Sequence, residues 1–131
     1  MTPAEKPAKT ADIAITGDLI VYPIPLVGST SFPLEYGATL RKLKALNAAV
    51  LVPGHGPVMK DGKYMEQMIG LLDSIRSQTE AAAKRGETLE QMRQSVDLEA
   101  FRNLFAGDSQ HKSLIFKNYV TLPAVAAMIP A

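Results

Sequence analysis

Residues 50–57 read Val-Leu-Val-Pro-Gly-His-Gly-Pro, and the prediction of the fold rests on them. The apolar run before Pro53 is typical of a buried strand, which the proline ends. Gly54 and Gly56 can take backbone angles closed to other residues, and they leave no side chain beside the imidazole of His55. A strand end that presents an uncrowded histidine is a common basis for a metal site or an acid–base site. His55 is therefore the first candidate functional residue.

A second candidate lies upstream, in the tripeptide Thr16-Gly17-Asp18. Residues 13–15 and 19–22 each favour a short strand, with the tripeptide as a tight connection between them. Taken alone, Asp18 is best explained as a turn residue whose carboxylate bonds its own backbone. Strand ends on one edge of a sheet converge, however, so this carboxylate and the imidazole of His55 can meet despite their separation in sequence.

The segments between these candidates indicate a layered α/β arrangement. Residues 23–33 form a loop rich in Pro, Gly and Ser, which is a candidate pocket wall. Residues 34–46 have the apolar spacing of an amphipathic helix, with Tyr36 as a core residue, and residues 48–52 follow as a strand. A strand, loop, helix and strand in this order predict a sheet packed against helices.

From Lys63 onward the pattern is helical. A long helix is predicted to end near Gly86, and Thr88 with Gln91 resembles a capping box that opens the next helix. Further short helices follow to the end of the chain. His111 lies in a polar stretch predicted to be a turn, and it is interpreted as a solvated surface residue.

Composition excludes several classes of protein. The 131 residues suit one domain, and a net charge of +1 gives no electrostatic attraction for nucleic acid or anionic membrane. The chain has no cysteine, which excludes disulfides, thiolate metal sites and cysteine nucleophiles without fixing the compartment. No apolar stretch is long enough to span a bilayer, and no signal region is present, so a soluble protein is expected. Residues 1–11 are predicted to be a disordered lead-in, and residues 12–131 a single domain.

The chemistry that remains is a metal site. Ser29 and Ser31 lie outside any nucleophile-elbow pattern, and the sequence has no glycine-rich phosphate loop. Asp18 and His55 would offer an oxygen and a nitrogen to one cation. A catalytic zinc site has three protein ligands and an open position, so these two residues make half a site.

Three segments carry a resemblance to the C-terminal half of the metallo-β-lactamase superfamily. They are Thr16-Gly17-Asp18-Leu19, the helix with Tyr36 ahead of Leu40-x-x-Leu43-x-x-Leu46, and Val52-Pro53-Gly54-His55-Gly56-Pro57. The resemblance runs from residue 12 to the end of the chain. It implies an α/β fold that is half of an αββα sandwich, with a short β-sheet packed on helices and a helical C-terminal part.

The same resemblance implies a zinc-dependent hydrolase with a two-metal site. Asp18 would bridge the two metal ions, and His55 would bind the second. The family's His-x-His-x-Asp-His segment and a further histidine ahead of the Gly-Asp belong to an N-terminal half that this sequence does not contain. His111 lies beyond the matched region. The resemblance thus implies an incomplete half with two metal-ligand positions, no assigned catalytic residue, no assigned substrate-binding residue and no activity on its own.

A lone half would leave a sheet face and a strand edge uncovered. The expected partner is therefore either a second copy in a homodimer or a missing N-terminal half, with a small-molecule substrate if the assembly is active. The alternative function is a non-catalytic oligomerising or interaction module that retains the half-fold. A third hypothesis makes His55 a structural turn residue in a small α/β binding domain.

Overall fold

The computed structural model describes residues 13–27 and 33–128, and these form a mixed α/β structure. The predicted lead-in at 1–11 and part of the predicted loop lie outside the described residues. The α/β class is confirmed. The elements in chain order are β1 (Ile13–Val21), α1 (Pro33–Ala45), β2 (Val50–His55), α2 (Lys63–Lys84), α3 (Leu89–Ser95), α4 (Glu99–Ala106), α5 (Gln110–Phe116), a π-helical segment (Lys117–Thr121) and α6 (Leu122–Met128).

The two strands pair in parallel, with α1 as the crossover between them. Ile13 lies opposite Val50 and Val21 lies opposite His55, so nine residues of β1 span the length of six residues of β2. The prediction of two short strands joined by a turn is therefore wrong, because β1 is continuous. Gly17 has a φ of +57°, and this left-handed residue lets the strand absorb its extra residues as bulges without leaving the sheet.

Helices α1 and α2 cover one face of this small sheet. Ala14 of β1 and Leu51 of β2 point towards them, and the apolar face of α2 that was predicted from its spacing is buried. The largest fully buried side chains are Phe116, Ile20, Leu40, Met68, Leu71, Ile75, Val27, Val120 and Pro25. These residues come from β1, the stretch after it, α1 and α2, and also from α5 and the π-helical segment. One core therefore joins the sheet to the C-terminal helices.

The opposite face of the sheet is apolar and uncovered by the described residues. Ile13 is 65% exposed and Ile15 is 80% exposed. They lie opposite Val50 and Val52, which are half-buried. We call these four residues the outer face. An exposed pair of β-branched residues on β1, beside two half-buried valines of β2, is unusual for a surface that meets only water.

The helical half follows the prediction closely. Helix α2 ends just before Gly86, whose φ is +79°. The capping box is present, because the Thr88 hydroxyl accepts from the Gln91 amide and the Gln91 side chain accepts from the Thr88 amide. His111 is exposed as expected, although it lies in the first turn of α5 and the predicted turn at that position is wrong.

Because Pro123 has no N–H, a carbonyl in the last helices accepts a hydrogen bond from Val27, which follows β1. In an α-helix the residue at position 123 would donate to the carbonyl of Tyr119, but proline has no N–H. The backbone at this point is π-helical, and the Tyr119 carbonyl instead accepts from the Val27 amide at 2.9 Å. Val27, which follows β1, is thus bonded to the C-terminal part of the chain.

We expect Pro123→Ala to loosen this tether. Alanine restores an N–H that competes with Val27 for the Tyr119 carbonyl, and losing a hydrogen bond of about 1 kcal/mol should speed exchange of the Val27 amide about fivefold. Native-state hydrogen exchange followed by NMR measures the rate. Leu122→Ala, at an exposed position of the same helix, is the control and should leave the rate unchanged. Equal Val27 exchange in the wild type and Pro123→Ala would show that the proline has no such role.

Candidate metal centre

The structure brings together the two residues that the sequence singles out. The Oδ1 atom of Asp18 lies 3.5 Å from the Nε2 atom of His55. His55 is the last residue of β2, and Asp18 lies in the second half of β1, so the parallel arrangement places both towards the same end of the sheet. Both side chains are open, with 68% of the imidazole and 70% of the carboxylate exposed.

This separation is suitable for two ligands of one cation. Zinc binds histidine nitrogen and carboxylate oxygen at about 2.1 Å, and a tetrahedral angle between two such bonds separates the donor atoms by about 3.4 Å. The distance also fits an ion pair with a protonated imidazole. An ion pair this exposed contributes only about 0 to 1 kcal/mol to stability, so stability alone gives little reason for the arrangement.

Both glycines beside His55 are required by close approaches, Gly54 to β1 and Gly56 to the residue that follows it. A Cβ atom on Gly54 would overlap Asp18 Oδ1 and would lie 2.6 Å from the carbonyl carbon of Gly17. Gly56 has a φ of +109°, and a Cβ atom there would lie 2.5 Å from the Cβ of Tyr22. The predicted need for unusual backbone angles is confirmed at Gly56. At Gly54 the requirement is the contact with the neighbouring strand, which the sequence does not reveal.

Asp18 lies in a bulge of β1. Gly17 is opposite Pro53 and Val21 is opposite His55, so three residues of β1 face Gly54 alone. The strand ladder therefore does not fix the backbone of Asp18. Bulges are common beside functional sites because they re-aim a side chain, and here the bulge turns the carboxylate towards the imidazole.

Two tyrosine hydroxyls hold the backbone next to Asp18. Tyr36 of α1 donates to the Leu19 carbonyl at 2.5 Å, and Tyr64 of α2 donates to the Val21 carbonyl at 2.6 Å. Burial raises the pKa of both hydroxyls well above the usual value, and the Asp18 carboxylate raises that of Tyr36 further. Both groups are therefore protonated donors at neutral pH.

The sequence predicted only the burial of Tyr36 and missed the role of its hydroxyl. Tyr36 is 7% exposed, so its place in the core is confirmed. Tyr64 was not singled out at all. The acceptors of these hydroxyls are backbone atoms 17 and 43 residues away, and no sequence motif marks such a pair.

An aromatic row runs from the site into the C-terminal helices. The Tyr22 ring meets Tyr64 edge-on with ring centroids 5.1 Å apart, and Tyr64 meets Phe105 in the same way at 5.7 Å. Phe105 then stacks on Phe116 at 6.2 Å. The half-exposed Tyr22 is thereby supported from beneath by residues of α2, α4 and α5.

The part of the chain that the structure describes holds no complete set of metal ligands. Among residues 13–27 and 33–128, no three histidine, aspartate, glutamate or cysteine side chains are grouped so that they could hold a metal ion. Asp18 and His55 therefore stand as a pair, and His111 does not join them. A catalytic zinc ion would need at least one further protein ligand.

A separate groove of about 720 Å³ lies among α4, α5 and the π-helical segment. Two basic residues line it, Arg102 and Lys117. Arg102 pairs with Glu99 and hydrogen-bonds Asn103 and Ser113. The hydrogen bond from Arg102 lowers the pKa of Glu99. The Arg102 guanidinium is thus engaged by its neighbours.

Comparisons with known proteins do not identify a relative. A scan against protein-family models gave no match to this sequence, and a search of curated proteins gave none either. Within the described helices, none combines the length and the apolar character that crossing a membrane requires.

We expect Gly54→Ala to destabilise the protein by about 2 kcal/mol, because the added methyl group must force β2 away from Gly17 and Asp18. Urea denaturation followed by circular dichroism measures the loss. Gly70→Ala in α2 is the matched control, since its added methyl group would meet only Phe101 at an ordinary 3.8 Å. Equal stability of the two variants would contradict the close packing at Gly54.

Proposed function

We propose that this chain is the C-terminal half of a metallo-β-lactamase-fold, zinc-dependent hydrolase, and that it contributes Asp18 and His55 to a two-metal centre. One observation carries the proposal. The only aspartate and histidine that the sequence pattern selects as ligands lie 3.5 Å apart, although 36 residues separate them in the chain. The backbone also brings these two residues together, because Gly54, which directly precedes His55, packs against the Gly17–Asp18 peptide. A chance pairing of two exposed side chains does not explain this contact.

Each residue has a defined part in this proposal. The Nε2 atom of His55 faces Asp18, so Nε2 is the nitrogen that would bind zinc. Asp18 would contribute its carboxylate to both metal ions. If bound there, two zinc ions would lower the pKa of water and would polarise a carbonyl or phosphoryl oxygen of a substrate. The wide exposure of both side chains leaves room for further ligands and for a small-molecule substrate.

The remaining ligands would come from an N-terminal half, either joined to this chain or separate from it. The outer face supports this part of the proposal. Ile13 and Ile15 expose apolar surface on the side of the sheet that α1 and α2 do not cover. An added sheet on this face would bury them and would bring its own strand ends towards Asp18 and His55. Without that half, self-association into a homodimer would bury the same surface.

The second candidate is a non-catalytic oligomerising module that retains the half-fold. The outer face favours it as well, since association needs no metal. The two candidates differ at the site. A module that has lost its chemistry has no reason to keep an aspartate and a histidine at ligand distance in an open position, and for this reason we place it second.

We expect the purified chain to bind zinc through these two side chains. Asp18→Ala and His55→Ala should each weaken Zn²⁺ binding by at least about tenfold. Loss of a metal ligand lowers the affinity more than loss of a hydrogen bond that supports a ligand. Isothermal titration calorimetry measures the affinity. His111→Ala removes the other histidine of the chain and should bind as the wild type does. A folded wild type that binds no zinc would favour the oligomerising module.

We also expect the chain on its own to self-associate at micromolar concentration. Ile15→Lys should shift the equilibrium towards monomer, because it places a charge in the middle of the outer face. Sedimentation equilibrium measures the association. Leu104→Lys changes another exposed apolar residue, a leucine on α4, and serves as the control. A monodisperse wild-type monomer under these conditions would argue against burial of the outer face between copies.

A further inference from the structure

The backbone that carries Asp18 needs a restraint that the sheet does not give. Residues 18–20 face only Gly54 across the ladder, so the regular hydrogen bonds between β1 and β2 are interrupted at Asp18. Its side chain is exposed, and no packing contact fixes the carboxylate from the solvent side. A metal ligand in such a position would change its distance from the metal unless the backbone beside it were held in place.

Tyr36 supplies a restraint at the next residue. The Tyr22 amide donates to the His55 carbonyl at 3.0 Å, so β1 is bonded to β2 again after the bulge. The Leu19 carbonyl lies inside the bulge, between that bond and the pairing of Gly17 with Pro53. There the Tyr36 hydroxyl donates to it at 2.5 Å.

The hydroxyl has a rigid support. Tyr36 lies on α1 one turn before Leu40, which is fully buried. Further along, Arg41 and Lys44 of α1 pair with Asp73 and Glu66 of α2. A phenylalanine would fill the same apolar space, so core packing alone does not require the oxygen atom. A buried hydroxyl is costly unless it is hydrogen-bonded, and the partner it has is the carbonyl beside Asp18.

We propose that Tyr36 is a positioning residue for the metal site: its hydroxyl holds the Leu19 carbonyl and thereby keeps the Asp18 carboxylate at ligand distance from His55. This inference rests on the proposed function. It assigns to α1 a part in metal binding although no residue of α1 touches the metal ion. Tyr64 acts two residues further along, on the Val21 carbonyl, and should matter less for Asp18.

The test compares Tyr36→Phe with Tyr119→Phe in the full chain. Tyr119 is half-exposed, so its variant controls for loss of a tyrosine hydroxyl. We expect Tyr36→Phe to bind Zn²⁺ about tenfold more weakly, as is usual when the partner of a metal ligand is lost. The visible spectrum of the Co²⁺-loaded protein should change as well, because that spectrum reports ligand geometry, which a general loss of stability does not alter. Tyr64→Phe should fall between the two.

A second measurement uses only wild-type protein, so it does not depend on whether a variant folds. In wild-type protein labelled with ¹³C at tyrosine Cζ and at the leucine carbonyl, added Zn²⁺ should shift the Tyr36 and Leu19 resonances and leave Tyr119 in place. Wild-type affinity and an unchanged Co²⁺ spectrum in Tyr36→Phe would overturn the inference and leave the proposed function intact. Unmoved Tyr36 and Leu19 resonances in protein that binds zinc would overturn it too. A wild type that binds no zinc would remove the proposed function and this inference together.

Discussion

The backbone contact between Gly54 and the Gly17–Asp18 peptide is the constraint on which the rest of the structure depends. No side chain fits between the two strands at this point, where the ladder is irregular. That contact sets the end of β2 beside the bulge of β1. It therefore determines both the separation of Asp18 from His55 and the direction in which each side chain leaves its strand.

The two faces of the sheet differ in how far other elements cover their backbone and apolar groups. On the inner side, α1 and α2 cover the sheet, and their tyrosines donate to two carbonyls of β1. On the outer side nothing among the described residues does the same for Ile13 and Ile15. Among the described residues, the sheet is thus covered by helices on one face and exposed on the other.

The sequence predicted the helices and the meeting of Asp18 with His55 better than the path of the first strand. Apolar spacing located α1 and α2, and the pair Thr88 and Gln91 located the start of α3, because these signals arise from neighbouring residues. The meeting of Asp18 with His55 was expected from the convergence of strand ends. The bulge was not, since Thr16-Gly17-Asp18 is equally suited to a turn, and only pairing with β2 selects the strand. The hydroxyl contacts of Tyr36 and Tyr64 also depend on tertiary packing, which local patterns do not encode.

The hydrogen bond between Val27 and Tyr119 has a consequence for the order in which the molecule can be completed. The two residues are separated by nearly the whole of the described chain, so the bond closes a very long loop and contributes little until the helices between them are packed. During synthesis, β1, α1 and β2 leave the ribosome well before the Tyr119 carbonyl, which accepts from Val27. The strand pair can assemble early, while Val27 takes its final place only when the π-helical segment has been made. The missing N–H at Pro123 thus links the timing of the last helices to the placement of Val27.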